Sequence, residues 1–144
     1  MEERLEELKL NDACAIQKAH IDAKGFKKEN VPTYLMLTVS ELSEALEADR
    51  KNRHADLQAF KDSLPVLYVC PGCYSQLSVP AEEGKRMFKE AFETHIKDTF
   101  EDEITDAFLR LMYLCGEFNI DIETHIRAKM AYNDLRPVRH GKAY

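Results

Sequence analysis

Leu35, Val39, Leu42 and Leu46 follow one another at intervals of four, three and four residues, which stacks them along one face of an α-helix. This core stripe predicts a helix over 32–51, with Pro32 placed to open it. Upstream, 2–22 has helix-forming composition with Leu5, Leu8 and Ile16 among its apolar positions, and 24–30 breaks it. Ile104, Phe108, Leu111 and Cys115 share one side of a further helix, while Leu109 and Tyr113 lie across from them. A helix that is apolar on opposite sides is expected to be buried. It belongs to a helical region over 85–115, with a break near Asp98 and Thr99 and a stop at Gly116. Asp121 is placed to cap a last helix carrying Ile122, Ile126 and Met130, which ends by Arg136 before Pro137. Between 52 and 84 the apolar residues show no sustained period, and Pro65, Pro71, Gly72, Pro80 and Gly84 punctuate the chain. That stretch reads as an inserted excursion with a short helix or hairpin. The expected fold is all-α: a four-helix bundle in a single domain, residues 1–144, with a loop-rich insertion over 52–84.

Acidic residues interrupt this pattern where they are least expected. Glu103, Asp106 and Arg110 cluster on one arc of the otherwise apolar helix, and buried carboxylates are costly unless paired or holding a cation. Arg110, one turn beyond Asp106, suits an internal ion pair that orients the carboxylate. Glu41 and Glu44, three residues apart, share a face of the preceding long helix and lie off its leucine stripe. Alone, they describe a solvated acidic face. Together, two helices offering two carboxylates each can aim four hard oxygen ligands at one point, the preference of Mg²⁺ or Mn²⁺. Glu47 turns further toward the polar side and is left out of the set.

The order Glu41-x-x-Glu44, Glu103-x-x-Asp106, then Lys129-x-x-x-Asn133-x-x-Arg136 resembles the MazG-like all-α nucleotide pyrophosphohydrolases. Lys24-Gly25-Phe26, Ser40 through Ala45, and His140-Gly141-Lys142 extend the likeness over most of the chain apart from the excursion. The resemblance implies that Glu41, Glu44, Glu103 and Asp106 are catalytic Mg²⁺ ligands, with Mn²⁺ as a substitute. It implies hydrolysis of a nucleoside triphosphate to the monophosphate and pyrophosphate, clearing non-canonical or excess deoxynucleotides. Lys129, Asn133 and Arg136 would bind the substrate's phosphates; on spacing alone they equally suit a C-terminal helix with cations near its carbonyl end. A homodimer or higher homo-oligomer is expected. The alternative is a catalytically inactive helical module that binds nucleotide or regulates.

Composition narrows the field. A hydrophobic content of 44% with 32% charged residues describes an ordinary globular chain of 144 residues. A net charge of −6 argues against binding a nucleic acid polymer, though not a single nucleotide reached through a metal. The apolar runs are too short for a membrane span and the acidic start is not a signal peptide, so a cytoplasmic location is expected. The four cysteines read as reduced thiols, with Cys14 and Cys115 as small core residues. Cys70-Pro71-Gly72-Cys73 is half a zinc site without a second pair, and only His54 and His95 are at hand to complete it. No Glu-x-x-His occurs, which sets the chain apart from ferritin-like di-iron bundles.

Overall fold

The computed structural model describes residues 9–64 and 81–135. Six helices run in order: α1 Leu10–Ala23, α2 Val31–Arg50, α3 Leu57–Asp62, α4 Ala81–His95, α5 Phe100–Glu117 and α6 Ile122–Asp134. No strand occurs among the described residues, so the all-α expectation holds. None of these helices is long and apolar enough to cross a membrane. Leu5, Leu8, Cys70, Cys73, Arg136 and the closing His140-Gly141-Lys142 lie outside the described residues.

Local chemistry sets the helix ends. Asn30 caps α2, its side-chain oxygen accepting from the Thr33 amide at 2.9 Å, and Pro32 sits in the first turn where a missing N–H breaks no helical bond. At the other end Asn52 takes a left-handed φ of 52°, and the Arg53 amide reaches back to the Ala48 carbonyl at 2.9 Å. Asn119 repeats this after α5, with φ 51° and an Ile120 amide to Cys115 carbonyl bond of 2.9 Å. The stop expected at Gly116 is therefore displaced to Asn119, and Gly116 lies inside α5. Asp121 caps α6 as expected, accepting from the Thr124 amide at 3.2 Å. The region over 85–115 is two helices, parted at the expected break; Asp98 turns the chain there with a φ of 58°. The excursion holds α3 and the start of α4, and Asp56 caps α3 through the Ala59 amide at 2.8 Å.

The chain divides into two compact units, one formed by Met1–Leu35 with Leu109–Tyr144 and the other by Met36–Phe108. In the first, α1 meets α5 closely: a methyl group on Gly116 would lie 2.6 Å from the Cys14 carbonyl oxygen. Buried Cys14 and Tyr113 pack in this unit, the Tyr113 ring 5.1 Å from that of Tyr34. The Asn11 side-chain Nδ2 donates to Asp121 Oδ1 at 2.7 Å and ties α1 to the start of α6. In the second unit the excursion is stitched shut at its base. The Asp56 amide donates to the His95 carbonyl at 3.0 Å, and the Phe100 amide to the Arg53 carbonyl at 2.9 Å. The Glu101 carboxylate accepts from the Ala55 amide at 2.8 Å beside His54. His95 meets Ser63 at 3.2 Å, so both histidines have partners here.

Burial corrects the reading of α2 and α5. Leu35, Val39, Leu42 and Leu46 are 45–51% exposed, and the buried positions of α2 are Thr38, Glu41, Ala45 and Ala48. Side chains of alanine size let neighbouring elements come close, so this face packs inward and the leucine stripe is left outside. Likewise Ile104, Phe108 and Leu111 are exposed, whereas Ala107 and Tyr113 are buried. Among the described residues the buried apolar set is almost entirely small, with Tyr113 its single large member.

Candidate metal centre

The inward face of α2 carries Glu41 into the second unit, 7% exposed, with the exposed Glu44 one turn further on. The start of α5 brings the third acid. Thr99 caps this helix, its hydroxyl oxygen accepting from the Asp102 amide at 3.3 Å. Glu101, Asp102 and Glu103 fill the first turn, where the positive end of the helix dipole favours negative charge. Glu103 is 7% exposed. One carboxylate oxygen from each of Glu41, Glu44 and Glu103 falls within 4.8 Å of the others.

These three acids line a cavity of about 620 Å³ in the same unit, and Asp106 lines it too. The structure thus brings three of the four expected acids to one point and places the fourth on the same wall. Among the described residues no basic side chain pairs with Glu103. Burial raises its carboxyl above the usual range, reinforced by the negative charges of Glu44, Asp102, Glu41 and Asp106. Carboxylate oxygens gathered in this way could hold a hard divalent cation. Glu47 is engaged elsewhere, with Lys51 at 2.9 Å.

Three acids on this cavity fall outside the expected set: Glu93, Asp98 and Asp102. Asp98 and Asp102 form a second oxygen group with Glu103. Both already have partners: Lys97 holds Asp98 at 2.8 Å, and the Asp102 carboxylate accepts from the Asp98 amide at 2.9 Å. The signal for them is local, an acid just before the break and another four residues on, at the cap of α5. Phe88, Phe92 and Lys89 of α4 also line the cavity, and the phenylalanine spacing is the pattern of a helix face.

Lys129 and Asn133 lie on α6, exposed, in the other compact unit. The Lys129 ammonium sits 5.2 Å from the Tyr132 ring centroid. Arg136 is outside the described residues. No protein-family model, curated protein or solved structure matches the chain.

Proposed function

We propose that this chain is a Mg²⁺-dependent nucleotide pyrophosphohydrolase of the MazG-like kind, converting a nucleoside triphosphate to the monophosphate and pyrophosphate. The observation that carries the reading is Glu103, buried against Glu41 and Glu44 with no basic partner among the described residues. Such an arrangement costs stability unless a cation completes it. Glu41, Glu44 and Glu103 would hold the ion, with Asp106 beside them. Mg²⁺ or Mn²⁺ bound there supplies charge neutralisation on phosphate oxygens and acidifies a bound water. A carboxylate of the cluster would accept the proton of the water that attacks phosphorus, and the bond between the α- and β-phosphates breaks to leave monophosphate and pyrophosphate. Lys97 puts positive charge on the same cavity for the remaining phosphates. Lys129, Asn133 and Arg136 are assigned to substrate by the sequence pattern alone.

The reading includes self-association. The half-exposed leucine stripe of α2 and the shortage of large buried side chains support a homodimer or higher homo-oligomer, because apolar faces of this extent mark association surfaces.

The test is turnover. A panel of canonical and modified nucleoside triphosphates with Mg²⁺ or Mn²⁺ should yield monophosphate and pyrophosphate from at least one member, and chelator should stop it. Glu44→Gln should lose at least about 100-fold in rate, the scale of disturbing a metal's ligand sphere. Nucleotide binding without product across the panel replaces this reading with an inactive binding module.

A further inference from the structure

The acids occupy only part of the cavity; another part of its wall is aromatic. Phe88 and Phe92 stand one turn apart on α4, both half-buried and both lining the same space as Glu41 and Glu103. Their rings are nearly parallel, at 25° with centroids 6.1 Å apart. Phe60 of α3 sets its ring edge-on to each, at 5.7 Å and 79° to Phe88 and at 6.4 Å and 85° to Phe92. Three rings in this arrangement hold one another in place, since edge-to-face pairs are favourable aromatic geometries. The volume of about 620 Å³ exceeds what a cation and its waters need and falls within the range of small-molecule sites. At the rim Lys89 pairs loosely with Glu93 at 3.8 Å, both exposed, so either side chain can turn to a polar ligand.

We infer that Phe88 and Phe92 form the base-recognition wall of the site, receiving the flat ring of a nucleotide whose phosphates lie toward Glu41, Glu44 and Glu103. The inference rests on the proposed nucleotide chemistry and adds how substrate is distinguished from bare polyphosphate. A ring stacked on an aromatic side chain contributes affinity whatever base it belongs to, because every base has a π-face. Lys89 and Glu93, a donor and an acceptor at the edge of the wall, are placed to discriminate among bases.

Calorimetric titration of the full chain with Mn²⁺ tests this, using α,β-methylene nucleoside triphosphates of each base and, separately, inorganic tripolyphosphate. The variants are Phe88→Leu and Phe92→Leu, which keep apolar bulk, with circular dichroism as the check on folding. Each should weaken nucleotide binding by roughly 10–100-fold, the scale of losing one stacking partner. Tripolyphosphate binding should stay within twofold of the unaltered protein. Unchanged nucleotide affinity in both variants overturns the aromatic wall and leaves the acid chemistry standing. Parallel loss of tripolyphosphate binding and helical signal overturns it too, because the rings are then packing alone. If the unaltered protein binds tripolyphosphate but no nucleotide, the wall falls; if it binds neither, the pyrophosphohydrolase reading falls with it.

Discussion

Glu103 gives up its water at the start of α5 and meets four negative neighbours, and that exchange has a sign that can be measured. Its folded pKa lies above the usual 4.5, so between those values the folded chain binds more protons than the unfolded one. Stability from this group is therefore greatest below 4.5, falls as pH rises through the raised value, and stays reduced at neutral pH. Metal-free protein should lose melting temperature over that window. Glu103→Gln should flatten the loss and melt roughly 2–5 °C higher at neutral pH without metal, a shift typical of a modest change in stability. Added Mg²⁺ should raise the unaltered protein and leave the variant where it is. Scanning calorimetry decides it: an unchanged pH slope in the variant removes Glu103 from the charged cluster. Asp121 works the other way and elsewhere on the scale, since the Thr124 and Asn11 hydrogen bonds pull it down to about 2. Its contribution is present above its ordinary value and lost only as pH falls toward 2. At this scale the paired acids were legible because i, i+3 spacing on a helix needs no tertiary knowledge. Asp98 and Phe88 were not, since their place on the cavity depends on where the chain turns between α4 and α5.

Within an element, α2 shows how a correct helix can be read with its faces exchanged. Periodicity identifies which side chains share a side, and Leu35, Val39, Leu42 and Leu46 do share one. It does not say which side the same chain covers. Thr38, Glu41, Ala45 and Ala48, spaced three, four and three, also share a side and are small enough, or polar enough, to escape notice as a packing face. Gly116 carries a similar lesson in α5: read as a stop, it is a point of contact with the Cys14 backbone. Gly116→Ala should gain helix propensity yet lose overall, because the new methyl group meets a carbonyl that cannot swing away. A net destabilisation of about 1–3 kcal/mol, the usual cost of overpacking, is expected from urea denaturation. A more stable variant would show that α1 yields easily.

For the molecule as a whole, the outer leucines bear on assembly. Leu42→Lys together with Leu46→Glu should leave helical circular dichroism intact and shift the particle toward the monomer mass in light scattering. An unchanged mass places any interface elsewhere. The helical class and the acid pairs could be read from the chain because both follow from local spacing. Of the excursion only a short helix or hairpin could be expected, and α3 is that short helix; proline and glycine mark where order is interrupted and do not place what resumes. Its closed base has a further consequence. Asp56 and Phe100 are already joined to His95 and Arg53, so whatever length of chain lies beyond them begins and ends at one place. Doubling such a loop costs only about 0.6 kcal/mol in closure entropy. The span from Asp56 to His95, which carries α3 and α4, can therefore be treated as a cassette, exchanging the wall proposed to choose the substrate while the acids on α2 and α5 stay as they are. Selectivity would drift between lineages faster than chemistry, and a graft at this junction is the natural route to redesigning it.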